Sequence, residues 1–356
     1  MKKAISLILT LAMLLCMTAC GGTSGSSSDS PSSQDTAQGE DASPIVCKIA
    51  SVLSESSPCH EALLYFCDRV EELAPGRIAF ELYPNSQLFS SEREMAEGEL
   101  LGTIHGAIIS ENIINSVDPY PMLEMGNTPF LIKSAEAEYA MLEDFYAEEV
   151  EKGMLDRGFT NLSYFIVGGV DIGNSVRDVV TPADIQGLKI RSWEAEGPAT
   201  FLNAVQANPM IMAFGEVYTA LQQQTIDGVI TSDFQFNAQS FTDIIKHVTS
   251  LHVFYNYQAL TFSRDWVESL PADLQEVFYQ AGAEATQHCR AEITPVTLEN
   301  TYKTMEAAGV TVTYLTNEQK MEWYDMVADT WDTFRENIGP EVFDRVVEFM
   351  SAYDYE

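Results

Sequence analysis

The sequence predicts an α/β protein with two lobes and a long helix that bridges both. Three observations support this fold class. Residues 44–356 provide 313 residues, a length that two lobes accommodate more readily than one. Apolar strand-like runs alternate with amphipathic helical runs, which indicates βαβ units and parallel sheets. Residues 271–308 have a helical pattern that would extend for more than about 50 Å, too long for one small lobe.

The N-terminal segment is typical of an exported protein. Residues 4–17 are apolar and follow Lys2 and Lys3, and 14 residues are too few to span a bilayer as a helix. We therefore predict a signal peptide over residues 1–19.

The signal peptide is followed by a cysteine and a polar stretch. The run Met-Thr-Ala-Cys at residues 17–20 resembles a bacterial lipobox, so we expect a lipid on Cys20 that anchors the chain to the membrane. Ordinary signal-peptidase cleavage after Ala19 is the alternative. Residues 21–43 contain no aromatic or branched aliphatic side chain. Residues 20–43 are therefore expected to form the lipid anchor and a disordered tether.

The predicted elements of the first lobe alternate between strand and helix. They are a strand over 45–53, a helix over 58–73, strands over 77–83 and 104–109 flanking a helix over 91–101, a helix over 135–156 and a strand over 161–167. We assign residues 44–168 and 257–296 to lobe I.

A second series with the same alternation follows the glycine turn at residues 168–169. It comprises strands over 188–191, 209–212 and 228–231 with helices over 198–205 and 215–222. Residues 169–256 and 297–350 are assigned to lobe II.

Two features close the predicted architecture. Pro295 should kink the long helix, and two shorter helices that meet in a loop are the alternative. After a strand over 310–314, Thr316 and Gln319 have the spacing of a capping box and begin the final helix.

The charge of the chain excludes some partners. It carries 19 Lys and Arg against 53 Asp and Glu, a formal net charge of −34. Nucleic acid and anionic lipid surfaces are bound by clustered cations, so we expect neither as a partner, and the lipid anchor is the only expected membrane contact. A small anionic ligand stays possible, because one buried cation in a cleft can dominate its local field.

No pattern of catalytic or metal-binding residues is evident. The sequence has no nucleophile elbow, zinc-binding His-Glu-x-x-His, phosphate loop or dinucleotide fingerprint. We predict no enzymatic activity, catalytic residue, metal or cofactor. The spacing of the remaining cysteines describes neither a disulfide framework nor a zinc site, and buried free thiols are favoured over a bridge to Cys47 or Cys289. These cysteines are Cys47, Cys59, Cys67 and Cys289.

Arg191 is the most informative candidate for ligand binding. It ends an apolar strand that leads into a helix, and ligands of open α/β sheets lie at the carboxyl ends of strands. Its guanidinium is a planar, permanently charged fork that matches a carboxylate. Local pairing with Glu194 or Glu196 is the alternative. Trp193, two residues on, should point to the same side of the extended chain and form a wall of the pocket.

Several segments together resemble a known family. The runs TPADIQGLKIR (181–191) and ANPMIMAFGEVYTALQQQTIDG (207–228) are similar to those of DctP-type substrate receptors of tripartite ATP-independent periplasmic (TRAP) transporters, the C4-dicarboxylate-binding family. Shorter similarities are YPNSQL (83–88) with ERE (92–94), NTPFL (127–131) and SLPADLQ (269–275). The resemblance covers about residues 46–340 in order.

The resemblance implies a periplasmic-binding-protein-like fold that closes on a small organic acid. It implies an extracytoplasmic receptor that delivers its ligand to an ion-gradient-driven membrane permease. We expect the receptor to be a monomer. Arg191 corresponds to the carboxylate clamp and Phe214 to an aromatic residue that packs on the ligand. The corresponding first-lobe contacts are Ser110, Glu111 and Asn112.

The chain departs from the family pattern at two places. Many members have polar ligand-contacting residues after the Asp-Gly pair, where this chain has Val-Ile-Thr-Ser-Asp at 229–233, so Thr231 and Asp233 are the candidates. Asp171 stands where sialic-acid receptors often have a second arginine. An acid beside the clamp suggests a ligand with an amine or several hydroxyls, although Asp171 facing solvent is an equal alternative. The alternatives for the function are a receptor for a membrane sensor and a secreted lyase or hydrolase.

Overall fold

The computed structural model describes residues 43–255 and 257–355. The predicted signal peptide over residues 1–19, Cys20 and nearly all of the predicted tether over 20–43 lie outside these ranges. Within them, none of the helices combines the length and the apolar character that crossing a membrane requires.

The strands of the described residues form two mixed sheets. The first sheet has the order β2-β1-β3-β10-β4 and the second the order β11-β9-β5-β8-β6-β7. The strands are β1 (Ile45–Ser51), β2 (Ile78–Tyr83), β3 (Gly106–Ser110), β4 (Phe159–Phe165), β5 (Val170–Asn174), β6 (Lys189–Ser192), β7 (Asn208–Ile211), β8 (Gly228–Ser232), β9 (His247–Ser250), β10 (Gln258–Ser263) and β11 (Thr311–Tyr314).

Helices connect the strands and follow the last of them. They are α1 (Pro58–Leu73), α2 (Glu92–Leu100), α3 (Ile114–Val117), α4 (Ala135–Met141), α5 (Ala147–Asp156), α6 (Glu196–Ala204), α7 (Val217–Gln222), α8 (Gln235–Ala238), α9 (Arg264–Ser269), α10 (Ala272–His288), α11 (Thr294–Ala307), α12 (Asn317–Val327), α13 (Trp331–Ile338) and α14 (Pro340–Met350). Shorter 3₁₀ and π turns join some of them.

The expectation of parallel sheets holds for most pairs and is wrong for two strands. β1 runs parallel to β2 and β3, and β6 runs parallel to β7 and β8. β10 is antiparallel to both of its neighbours, and so is β5. Each of these two strands follows a direct passage from the other sheet, so it enters its sheet from the opposite end. Neither β5 nor β10 is among the strands predicted from the sequence.

Within the described residues, the chain passes from one sheet to the other at three places, and after α12 the helices α13 and α14 return to the apolar cluster of the first sheet. Two passages lie between β4 and β5 and between β9 and β10, and the third is the junction of α10 with α11. α10 packs on α1 and β4 beside the first sheet, whereas α11 packs on β11 and α8 beside the second. The predicted boundaries after residues 168, 256 and 296 lie at or near these passages, and the assignment of residues to lobes stays a prediction.

The long bridging helix is continuous, with one irregular turn. A π turn over Cys289–Ile293 connects α10 to α11 directly, and no loop interrupts the helix. Pro295 lacks the N–H that an α-helical hydrogen bond needs, and the wider π turn lies immediately before it. The long helix is therefore continuous through a π turn that precedes Pro295, and the alternative of two helices that meet in a loop is not observed. The kink at Pro295 stays a prediction.

The C-terminal region contains more helices than predicted. The capping box of Thr316 and Gln319 is present and begins α12. The helix then breaks at a 3₁₀ turn, Ala328–Thr330, and two further helices follow. Gly339 adopts φ 113° between α13 and α14, and Pro340 starts the last helix.

Each sheet has its own apolar core. Side chains of β1, β3 and β10 pack with α1 and α10 in one cluster, which includes Ile108, Phe66 and Phe278. The second sheet is covered on both faces, because the neighbouring residues Val229 and Ile230 of β8 belong to different clusters. The four cysteines within the described ranges are buried free thiols.

The contact between α10 and β4 depends on a glycine. A Cβ on Gly282 would lie 2.3 Å from the backbone oxygen of Leu162, and the Ser163 hydroxyl donates to the Gly282 carbonyl at 2.9 Å. We expect Gly282→Ala to lower the free energy of unfolding by about 1–3 kcal/mol, because backbone atoms must move apart. Urea unfolding followed by circular dichroism measures this. The exposed neighbour Ala283, changed to Ser, should shift stability by no more than about 0.5 kcal/mol; equal effects of the two variants would contradict the prediction.

Candidate functional site

A cavity lies between the two sheets, where the carboxyl ends of β1, β3, β6 and β8 meet the first residue of β10. Its volume is about 410 Å³, including the part open to solvent. Residues from both sides of the gap line it. The first-sheet side contributes Leu53, Glu92, Ser110 and Gln258, and the second-sheet side contributes Arg191, Trp193, Phe214, Thr231, Ser232 and Gln235. This is the position in which open α/β sheets bind their ligands.

Arg191 is buried in this cavity with part of its guanidinium unused. Its side chain comes from the third residue of β6, and only 3% of the residue is exposed. Nε and Nη2 donate to the Met212 carbonyl at 3.2 and 3.1 Å, and the guanidinium carbon lies 5.4 Å from the ring centre of Phe214. No carboxylate of the described residues comes within 4.0 Å of it, so the predicted alternative of local pairing with Glu194 or Glu196 is not observed.

The burial of Arg191 lowers the pKa of its guanidinium, but the group remains protonated. Burial lowers the pKa of the guanidinium to about 10, and the nearby Glu92 and Glu194 act in the opposite direction. The side chain therefore remains positively charged at neutral pH. A buried cation without a contacting anion is costly, and an organic anion that enters the cavity would remove that cost.

Glu92 lies on the other side of the same cavity. It is the first residue of α2, whose N-terminus is held by the capping box of Ser91 and Glu94. The Ser110 N–H donates to Glu92 Oε1 at 3.3 Å. Burial raises the pKa of the Glu92 carboxyl to about 7, against the lowering effects of the Ser110 amide and Arg191.

Several buried polar atoms at the cavity have no hydrogen-bond partner among the described residues. They are Trp193 Nε1, Gln235 Oε1 and Gln258 Oε1. The other end of the Gln258 amide donates to Ser110 Oγ at 2.8 Å. Because buried polar groups rarely remain unpaired, these atoms are available to bind a polar ligand.

Hydrogen bonds between described residues connect the walls of the gap directly, including one from Ser56 Oγ to the Ala238 carbonyl at 3.3 Å. Ser54 Oγ, between β1 and α1, donates to the carbonyl of Ala238 in α8 at 2.8 Å. The Gly215 N–H donates to the Ser90 carbonyl, which precedes α2, at 3.3 Å. The structure therefore represents an arrangement in which the two sides of the cavity are in contact.

Asp171 does not lie beside the clamp as the sequence suggested, nor does it face solvent. It is fully buried in β5, where its Oδ1 accepts the backbone N–H groups of Leu251 and His252 at 2.9 and 3.0 Å. Its Oδ2 accepts the Tyr302 hydroxyl at 2.7 Å. With these three donors the carboxylate connects β5, the segment after β9 and α11. We therefore correct its assignment from ligand contact to structural contact.

Asp233 also lies outside the cavity lining. Its residue is 1% exposed and its Oδ1 accepts the N–H of Phe234 at 2.5 Å. The carboxylate packs so closely on Gly168 that a Cβ there would lie 2.1 Å from Oδ1. Its position is explained by these local contacts.

Glu111 and Asn112 are buried behind the cavity wall rather than in it. They follow β3 directly, and each is 1% exposed. Neither side chain has a hydrogen-bond partner among the described residues. Burial raises the pKa of Glu111 well above its usual range, and Glu138 and Glu124 raise it further. Burial also raises the pKa of Glu138 to about 8.

The structure thus brings together five of the nine predicted ligand-binding residues: Arg191, Trp193, Phe214, Ser110 and Thr231. Sequence reasoning missed the glutamate and both glutamines of the cavity. Glu92 lies within the ERE run at residues 92–94, which resembles the family, but no role in ligand binding was predicted for it. Gln258 could not be placed because β10 was not predicted. In the described ranges no three His, Cys, Asp or Glu side chains are arranged to hold a metal ion.

Comparison with known proteins identifies the family. A family model described as bacterial extracellular solute-binding protein, family 7 (DctP) matches residues 49–337. The chain belongs to this family. The C4-dicarboxylate-binding periplasmic protein DctP of Shewanella loihica is 28% identical over 86% of this chain and 90% of its own length. The protein of the same name from Rhodobacter capsulatus is 28% identical over 84% of this chain and 89% of its own.

Solved structures agree with this result. The TRAP periplasmic solute-binding protein of Sulfurospirillum deleyianum, with bound succinate, is 26% identical with a TM-score of 0.79, over 86% of this chain and 99% of that one. The sugar acid binding protein of Advenella mimigardefordensis, in complex with galactonate, has a TM-score of 0.83 at 21% identity, over 88% and 99% of the two chains, which shows a shared fold. The predicted family, the two-lobed fold and the function as a TRAP-type solute receptor are confirmed. The curated relatives are named as binding proteins, which favours a receptor over a lyase or hydrolase.

The buried carboxylates give the receptor a testable pH dependence. A carboxyl with a raised pKa in the folded state binds more protons there than in the unfolded chain, so stability decreases as pH rises from about 4.5 to 8. We expect Glu138→Gln to reduce the loss of unfolding free energy between pH 5 and 8 by roughly 2–4 kcal/mol. Urea unfolding at several pH values measures it. The exposed Glu148, changed to Gln, serves as the control; a Glu138→Gln profile parallel to that of the unmodified receptor would refute the prediction.

Proposed function

We propose that this receptor captures a small organic acid by pairing its carboxylate with Arg191 and closing both lobes around it. The observation that supports this most strongly is the buried, charged guanidinium with no carboxylate within 4.0 Å. Its remaining N–H groups, with the unpartnered Trp193 Nε1, provide donors for a carboxylate on one side of the cavity. Phe214 packs beside the guanidinium and excludes water from the pair.

Closure would follow from differential binding. Ser110 and Gln258 approach the cavity from the first sheet, and Arg191 and Thr231 approach it from the second. A ligand can contact both sides only when the gap is closed, so it shifts the equilibrium towards that arrangement. The hydrogen bonds of Ser54 and Gly215 across the gap add to the closed state in the same way.

The receptor would act as a monomer and deliver its ligand to an ion-gradient-driven membrane permease. Family membership and the TRAP structures support this partner over a membrane sensor. The relatives from Shewanella and Rhodobacter are named for C4-dicarboxylates, which makes small organic acids the class to test.

The second part of the proposal concerns attachment to the membrane. A lipid on Cys20, after removal of residues 1–19, would retain the receptor outside the cytoplasmic membrane while the polar stretch over 21–43 lets it reach the permease. The lipobox-like run at residues 17–20 supports this assignment.

The role of Arg191 predicts a loss of affinity that charge alone does not restore. We expect Arg191→Ala to weaken binding of the tightest acid in a panel containing succinate and galactonate by roughly 30- to 1000-fold. Arg191→Lys should stay weaker than the unmodified receptor, because an ammonium cannot form the bidentate pair. Isothermal titration calorimetry measures both, with thermal unfolding to verify folding. The control is Lys189→Ala, an exposed cation on the same strand, which should bind normally. If Arg191→Ala and Lys189→Ala have equal affinities, the clamp assignment is wrong.

The lipid anchor predicts a change in fractionation. Expressed in a bacterium with lipoprotein-processing enzymes, the unmodified receptor should sediment with membranes, and Cys20→Ser should remain in the supernatant. Cys16→Ser, in the predicted signal peptide, should still sediment. A mature N-terminal peptide that begins at an unmodified Cys20 would instead support ordinary cleavage after Ala19.

A further inference from the structure

The cavity has an uneven distribution of charge. Among the described residues that line it, Arg191 is the one cation and Glu92 the one carboxylate. A monocarboxylate needs one cation, and Arg191 supplies it. The adjoining hollow adds one further cation, Arg93, which is exposed and already paired with Glu97 at 3.1 Å, and one further carboxylate, Glu194. A dicarboxylate would therefore bring a second negative charge to a place where Arg191 is the one unpaired cation of the described lining and a carboxylate is already present.

The Glu92 carboxylate has unused capacity to accept hydrogen bonds. Apart from Ser110, no described residue donates a hydrogen bond to it, and it makes no ion pair within 4.0 Å. An ionised carboxylate has about four acceptor positions. Glu92 therefore requires a donor, and a ligand hydroxyl provides one.

Two glutamine side chains of the cavity also require hydrogen-bond partners from a ligand. The oxygen atoms Gln235 Oε1 and Gln258 Oε1 are buried without partners. If either amide were turned by 180°, its NH₂ group would take the place of the oxygen and would require an acceptor instead. A hydroxyl both donates and accepts, so it satisfies either orientation. A second carboxylate can only accept.

We propose that Glu92 is a specificity-determining residue that selects monocarboxylates carrying several hydroxyl groups, such as sugar acids, and disfavours dicarboxylates. The carboxylate of the ligand pairs with Arg191, and its hydroxyls donate to Glu92 and pair with the side-chain amides of Gln235 and Gln258. This rests on the proposed function, because it takes the Arg191 pair as the fixed end of the ligand. The sequence suggested at Asp171 an acid beside the clamp that would contact an amine or several hydroxyls of the ligand; in this proposal Glu92 is that acid, and its partners are hydroxyls.

The test compares galactonate with succinate by isothermal titration calorimetry at pH 7.5. The unmodified receptor should bind galactonate at least ten-fold more tightly than succinate. Glu92→Gln should weaken galactonate binding at least five-fold and leave succinate binding unchanged or tighter. Gln235→Leu, which removes an amide without changing charge, should also weaken galactonate binding and spare succinate binding. Glu148→Gln is the matched control, since Glu148 is an exposed glutamate of α5 that lines neither this cavity nor the hollow beside it, and it should leave both affinities unaltered.

The outcomes separate this inference from the proposed function. Succinate binding as tight as galactonate binding, with a ratio that Glu92→Gln does not alter, overturns the inference while the loss of binding in Arg191→Ala still supports the clamp. An amino acid such as serine that binds more tightly than galactonate also overturns it, since Glu92 would then pair with an ammonium group. If Arg191→Ala leaves galactonate binding intact, the proposed function itself fails. Thermal unfolding of each variant verifies that affinities are measured on folded protein.

Discussion

The whole arrangement depends on the cost of keeping the Arg191 guanidinium out of water. Arginine cannot lose its proton under ordinary conditions, so burial must be compensated by partners. The protein supplies one backbone carbonyl, from Met212, and the flank of Phe214, but no carboxylate in contact. Glu92 and Glu194 support the charge from a distance. A folded protein that leaves such a group partly paired retains free energy that an anionic ligand can release, and this is the physical basis for binding at this position.

Arg191 can hold a ligand against the first sheet only if the two sides of the cavity keep defined positions. A buried hydrogen-bond network stabilises the segments that connect the two sheets. Asp171 accepts from the backbone of residues 251 and 252 and from Tyr302. Tyr302 OH also lies 2.6 Å from His252 Nε2, and His252 Nδ1 lies 2.9 Å from Tyr255 OH. The start of β5, the segment after β9 and α11 are thus connected at one point. β5 and β10 each follow a passage between the sheets, so each begins at the side of its sheet that faces the cavity. For this reason Gln258, the first residue of β10, lines the cavity.

The sequence predicted the parts of this structure that depend on local pattern. Alternating elements, the long helix, the capping box at Thr316 and the position of Arg191 at a strand end all follow from periodicity and residue type. The strands β5 and β10 were missed because each follows the preceding strand without an intervening helix, so the alternation of strands and helices does not mark them. Asp171 was misplaced for a different reason. Sequence spacing places a side chain on a strand, but it cannot show whether backbone N–H groups from a distant segment surround the carboxylate.

The acidic composition is consistent with an anionic ligand, because most of the carboxylates lie on the surface, far from the cavity. At physiological ionic strength, interactions between exposed charges are largely screened beyond about 8 Å. The excess carboxylates on the surface therefore act weakly on a ligand inside the cavity, where screening by ions is small. The local balance there is one cation against one carboxylate, independent of the net charge of −34. The surface charge should slow the approach of an anion more than it weakens its binding, since long-range fields act mainly on association rates. Affinity and selectivity are then determined by Arg191, Glu92 and the amides between them.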